Sequence, residues 1–199
     1  MRRAPLRAVF FDVGETLVDE TRMWSEIADA LGVPRFTFFG ILGGLAARGE
    51  PHSRVYELLG VEQPGSAGFR LEDLYPDARA CLADLRAAGY RLGAVGNTGA
   101  EVEAILAGLV DVAGSSARWG VEKPAPGFFA RIVSEAGCAP AEIAYVGDRV
   151  DNDVVPALAA GLVGVHIRRG PWGYLHEPPA GAIRVASLAE LPAALGSLA

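Results

Sequence analysis

From residue 76 onward, strand-like apolar runs alternate with helix-like periodic stretches, and residues 19–70, all helical in pattern, interrupt this order directly behind the first strand. That order leaves few folds open. Successive parallel strands need a crossover, and the crossover helix covers a face of the sheet. Strands are expected at Leu6–Phe11, Tyr90–Val95, Val110–Ala113, Ile143–Val146, Leu162–Ile167 and Ile183–Ala186. Helices are expected from Pro76 to just before Gly89, with Ala78, Cys81, Leu82 and Leu85 on one face, then over Glu101–Leu109, Pro126–Ala136, Val154–Ala160 and Leu188–Leu195. Proline near the start and glycine past the end mark several of them. The pattern predicts an α/β chain: a doubly wound, Rossmann-like parallel sheet built from residues 1–18 and 71–199, with 19–70 as a small inserted helical cap. Within the cap, Trp24, Ile27, Ala28 and Leu31 share a helical face, Gly32 and Pro34 break it, and Phe36–Ala47 and Val55–Leu59 follow before a loop at Gly60–Gly68. Trp24, Phe36, Phe38 and Phe39 read as cap core. The stretch RRGPWGYL, Arg168–Leu175, reads as a glycine–proline loop that either borders the ligand site or packs its Trp on the surface.

Apolar residues make up 51% and charged residues 21%, enough to build a core without wholesale disorder. The net charge of −6 lacks the basic footprint of a nucleic-acid binder. The arginines at the start precede an apolar run that ends at Asp12, too short for a secretory leader, and no stretch matches a membrane span. A soluble, cytoplasmic protein with no nucleic-acid or membrane partner is expected. Cys81 and Cys138 read as reduced thiols, and His52, His166 and His176 lack zinc-site spacing.

In an open parallel sheet, ligands bind beyond the carboxyl ends of the strands. Polar residues gather there: Asp12 after the first strand, Asn97 and Thr98 after the second, and Asp148, Arg149, Asp151, Asn152 and Asp153 after Ile143–Val146, with Lys123 in a loop ahead of the Pro126 helix. Asp12 has a plainer reading as a strand-end carboxylate capping a turn, Asp148 and Asp153 as helix N-terminal caps, and one lysine is usually a solvated lysine. If the strands are neighbours, however, the acids converge, and clustered carboxylates desolvate badly without a cation. An all-oxygen donor set suits Mg²⁺, and a lysine beside it suits phosphate.

The segments FFDVGETLVD, GVEKPAPGFF and YVGDRVDNDV resemble three motifs of the haloacid dehalogenase superfamily, in the same order and with the insertion in the same place, so the resemblance covers nearly the whole chain. It implies a hydrolase, most simply a phosphatase of a small phosphorylated metabolite, monomeric or homodimeric. Asp12 matches the nucleophile that becomes an aspartyl-phosphate. Asp12, the carbonyl of Gly14, Asp148 and Asp153 match the ligands of Mg²⁺ or of its waters, and Lys123 matches the residue that neutralises the nucleophile and the phosphoryl oxygens. Two positions depart from the family. Gly14 stands where most of its phosphatases carry a general acid, and Gly96 stands where they carry a hydroxyl residue. Backbone N–H groups at Gly96 and Asn97 can still bind phosphate, Thr98 is a candidate for the lost hydroxyl, and Glu15 is the nearest candidate for the lost acid. The departures keep other readings open: a C–halogen or C–P bond hydrolase, or a metal- or ligand-binding domain with weakened turnover.

Overall fold

The computed structural model describes residues 4–65 and 68–197; part of the expected 60–68 loop lies outside them. The chain runs β1 (Ala8–Phe11), α1 (Thr21–Ala30), α2 (Arg35–Ala47), α3 (Arg54–Leu59), α4 (Ala78–Ala87), β2 (Arg91–Gly96), α5 (Glu101–Leu106), β3 (Val112–Ser115) and α6 (Ser116–Trp119). It continues through α7 (Pro126–Ala136), β4 (Ile143–Gly147), a π-turn at Val150–Val154, α8 (Val155–Ala159), β5 (Val163–Ile167), α9 (Gly170–Leu175), β6 (Ile183–Val185) and α10 (Leu191–Gly196).

The six strands form one sheet in the order β3-β2-β1-β4-β5-β6, every pair parallel. The chain winds outward from β1 through β2 to β3, then returns to β1's other edge and continues through β4 to β6. The carboxyl end of β1 therefore lies at the point where winding reverses, which is where such sheets open a crevice. Alternate residues of each strand feed opposite cores. Val9, Phe11, Leu92, Ala94 and Val146 pack with α4, α5 and α10, while Ala8, Phe10, Val95 and Tyr145 pack with Phe128, Phe129 and Ile132 of α7 and Ala157 of α8. Central strands buried on both faces explain why these segments read as unbroken apolar runs. Phe10 lies opposite Gly93, where a Cβ would come within 2.3 Å of the Phe10 ring, so the glycine makes room for it.

Helices α1–α3 carry their own hydrophobic cluster, centred on Ile27, Ala28, Phe38, Leu42, Leu45 and Val55. Phe36, expected in it, is instead 91% exposed. Two residues along a helix turn the side chain by about 200°, so once Phe38 faces inward Phe36 points out. Arg168–Leu175 is likewise not a loop: α9 occupies Gly170–Leu175, with Pro171 in its first turn, where a missing N–H leaves no bond unmade. It docks the helical block onto the sheet, and His176 just beyond it sits 2.7 Å from the Ala46 carbonyl at the end of α2. Among the described residues no single helix is long and apolar enough to cross a membrane. Cys81 and Cys138 are free thiols.

Candidate active site

Asp12 leaves the end of β1 with its N–H donating to the Val146 carbonyl at 2.8 Å, which fixes it between β1 and β4. Beside it, Lys123 reaches in from the loop between α6 and α7, and its ammonium lies 2.6 Å from Asp12 Oδ1 and 2.6 Å from Asp153 Oδ1. All three side chains are buried, as is Asp148, and carboxylate oxygens of Asp12, Asp148 and Asp153 lie within 4.8 Å of one another. Residues separated by more than a hundred positions thus meet around one ammonium.

Each member is held by a neighbour. Asn97, first after β2, accepts from the Lys123 N–H at 2.8 Å and donates to the Lys123 carbonyl at 2.9 Å. Its side chain is spent on clamping the lysine's backbone, a role that nothing in the local sequence announces. The ring of Tyr145 lies 5.8 Å beneath the ammonium. Asp153 projects from the π-turn, where its Oδ2 accepts from the Arg149 N–H at 3.0 Å. A Cβ on Gly147 would lie 2.4 Å from the Asp153 carboxyl carbon, so that glycine makes space for the acid. Gly96 acts in the same way toward Asp12: a Cβ there would sit 3.0 Å from Asp12 Oδ1. Thr98 turns its methyl toward Gly96, and its buried Oγ1 has no hydrogen-bond partner among the described residues.

Charge is poorly balanced here. Burial raises the Asp148 carboxyl well above its ordinary range, and Asp153, Asp12, Glu15 and Glu20 add to the effect. Burial also raises Asp153, to about 6, with Lys123 pulling it down and Asp12 pushing it up. For Lys123, burial works against the ammonium, but Asp12 and Asp153 outweigh it and hold the proton on. One lysine does not offset three buried acids, so the site fits a divalent cation with oxygen ligands.

Gly14 and Glu15 follow Asp12 into a tight turn. Glu15 takes a φ of +50°, in the left-handed region, and its N–H donates to the Val18 carbonyl at 2.8 Å. Its carboxylate is committed elsewhere: one oxygen accepts from the Tyr75 hydroxyl at 2.6 Å, the other from the Glu20 N–H at 3.0 Å. Arg169 stacks on Tyr75 at 4.0 Å, donates to the Thr16 carbonyl at 2.8 Å and pairs with Asp77, completing that buttress. The fold-back brings Glu20, at the start of α1, over Gly14. Glu20 Oε1 lies 2.3 Å from the position a Cβ of residue 14 would take, and Oε2 accepts from Trp24 Nε1 at 3.1 Å. Burial, reinforced by Glu15, pushes the Glu20 carboxyl up to about 8. Sequence reasoning overlooked this residue. Its one local signal was an acid four residues before Trp24, on the same helical face.

Asp12, Gly14, Glu20, Lys123 and Asp148 line a common cavity of about 410 Å³. Its mouth is aromatic: the rings of Trp24 and His52 are 5.4 Å apart, those of His52 and Trp172 6.4 Å, and the Arg149 guanidinium lies 5.1 Å over Trp172. Trp24 thus serves both the helical block's packing and the cavity wall.

A family model described as haloacid dehalogenase-like hydrolase matches residues 6–161. The chain is similar to a glyceraldehyde 3-phosphate phosphatase of Methanopyrus kandleri, 40% identical over 105 residues, covering 49% of this chain and 45% of that protein. It is similar also to a phosphoserine phosphatase of Thermus thermophilus, 35% identical over 103 residues, covering 49% of this chain and 41% of that protein. The chain thus aligns with less than half the length of either relative. Among solved structures, an L-2-haloacid dehalogenase of Xanthobacter autotrophicus superposes with a TM-score of 0.72 at 21% identity, over 98% of this chain and 100% of that one, a likeness of fold.

Proposed function

Because the chain belongs to the haloacid dehalogenase-like hydrolases, we propose that it is a Mg²⁺-dependent phosphatase of a small phosphorylated metabolite, acting through an aspartyl-phosphate on Asp12. One observation carries this reading: a buried ammonium bridges Asp12 and Asp153 at 2.6 Å each, with Asp148 alongside. Phosphoryl transfer asks little of a protein beyond positioning and charge neutralisation. In this reading Asp12 attacks phosphorus, and Lys123 holds Asp12 in place and offsets charge on the phosphoryl oxygens. Asp12, the Gly14 carbonyl, Asp148 and Asp153 hold Mg²⁺ or its waters. When bound, the ion supplies the positive charge that draws a phosphoryl group to the nucleophile. Gly96, Asn97 and Thr98 border the phosphate, with Asn97 acting chiefly through its clamp on Lys123. Residues 19–70 serve as the cap over a core of 1–18 and 71–199, and the aromatic mouth excludes water.

The two relatives' names denote small phosphate esters, and the same class is proposed for this chain. A halide-releasing reaction fits less well, since displacing halide needs no cation and three converging buried acids would burden it. The test is phosphate release from a panel of small phosphate esters, with and without Mg²⁺, beside Asp12→Asn. Metal-dependent release that falls at least about a thousandfold in the variant is expected, given the loss of a covalent route. Turnover surviving in Asp12→Asn refutes the covalent mechanism.

A further inference from the structure

Attack on an alkyl phosphate expels an alkoxide, which needs a proton, and opening the resulting acyl-phosphate by water releases one. A group facing the nucleophile has to carry that proton, and the residues around the cavity narrow the choice. Lys123 is bound to Asp12 and Asp153. Glu15 is bound to Tyr75 and to the Glu20 N–H. Arg149 is bound to Asp151. His52 stands at the mouth between two tryptophans. Glu20 remains. Its Oε2 is tied back by Trp24, while Oε1 fills the space over Gly14, two residues from the nucleophile.

We propose that Glu20, reaching back from the start of α1 into the space that Gly14 leaves open, is the catalytic acid and base of both half-reactions. This rests on the phosphatase reading above. In the first step Asp12 bonds to phosphorus, the bond from phosphorus to the leaving oxygen breaks, and the Glu20 proton passes to that oxygen, releasing the alcohol. In the second, water attacks phosphorus, its proton passes to the Glu20 carboxylate, and the bond from phosphorus to Asp12 breaks, releasing phosphate. Glu20 ends protonated and Asp12 ends as a carboxylate, so the cycle closes. The turn at Glu15 is the device that makes the reach possible, because its carboxylate anchors the Glu20 backbone.

The test compares two esters in the presence of Mg²⁺: an alkyl phosphate, whose leaving group needs the proton, and a nitrophenyl phosphate, whose leaving group departs without it. In Glu20→Gln, kcat/KM, which reads the steps up to release of the leaving group, should fall about 100-fold more on the alkyl ester than on the aryl ester, in line with the usual contribution of general acid catalysis. Phosphoenzyme should also accumulate on the aryl ester, because the second step loses its base. A carboxylate restored at the same point offers a second measurement. The double variant Gly14→Asp with Glu20→Ala should recover most of the lost alkyl-to-aryl ratio, whereas Glu20→Ala alone should not. Equal losses of kcat/KM on both esters in folded Glu20→Gln overturn the proposal, and so does the absence of any loss on either. A double variant that cleaves the aryl ester yet recovers nothing on the alkyl one also overturns it. A wild-type protein releasing no phosphate from either ester instead refutes the phosphatase reading, and the proposal with it.

Discussion

Replacing Lys123 by methionine keeps the four-atom stem of the side chain and removes the ammonium, which isolates its electrostatic role. Its two 2.6 Å contacts to Asp12 and Asp153 each amount to about 6 kcal/mol of attraction at an effective dielectric near 20. Much of that is cancelled because the variant no longer desolvates an ammonium, so a net loss of about 3–5 kcal/mol is expected, as when one partner of a buried pair is removed. For a chain of 199 residues this corresponds to a Tm lower by about 6–20 °C. Thermal unfolding in chelator at pH 8 measures it. The same scan at pH 5.5 provides the control. Asp153 sits at about 6 even with the lysine beside it, and without the lysine it rises further, so at pH 5.5 the Asp153 carboxyl of the variant is neutral. The deficit should then shrink to about half or less. A loss below about 1 kcal/mol at pH 8, or one of equal size at both pH values, would refute the view of Lys123 as counter-charge to a buried acid cluster.

Asn97→Ala removes both bonds to the Lys123 backbone; it should cost about 1–3 kcal/mol and lower kcat by releasing the lysine loop, and wild-type turnover would show that the clamp is dispensable. The metal-free wild type should lose stability as pH rises from about 6.5 to 8, by about 2 kcal/mol for each group that titrates across the interval. The sign follows from Glu20, at about 8, and Asp148, well above its ordinary value: both hold protons in the folded state that the unfolded chain has already released. His52 and His166 shift downward through burial and act in the opposite sense only below about 6.5, the ordinary histidine value. Urea unfolding at the two pH values reads the slope, added Mg²⁺ should flatten it, and stability rising across the interval would contradict it.

Most of the fold is legible because buried parallel strands announce themselves as short apolar runs and because helix ends carry proline and glycine. The helix Pro126–Ala136, closed by Gly137, lies where its punctuation says. Strand β3 starts two residues later than its apolar run, because Asp111 is occupied in accepting from the Leu92 N–H. Asp12, Lys123, Asp148 and Asp153 were readable by type and position, each at a strand end or the loop beside it. What escaped depends on direction, which one-dimensional pattern does not carry. Asn97 works on a backbone twenty-six residues away. The π-turn that aims Asp153 has no periodicity of its own. Glu15 was the nearer acid by count, yet a positive φ turns it toward Tyr75 and brings Glu20 over Gly14 instead.

The crowding at residue 14 also bears on how such a chain can change over generations. One nucleotide exchange converts any glycine codon into one for aspartate or glutamate, so an acid at 14 is always a near neighbour by mutation. Here it would arrive in occupied space, since its Cβ alone would stand 2.3 Å from Glu20 Oε1. The intermediate genotype has to displace the Glu20 carboxylate from its bond to Trp24 before a second acid fits, and removing Glu20 first leaves none. On the proposed role of Glu20, each route passes through an altered site, and paired change is the direct way from one arrangement to the other.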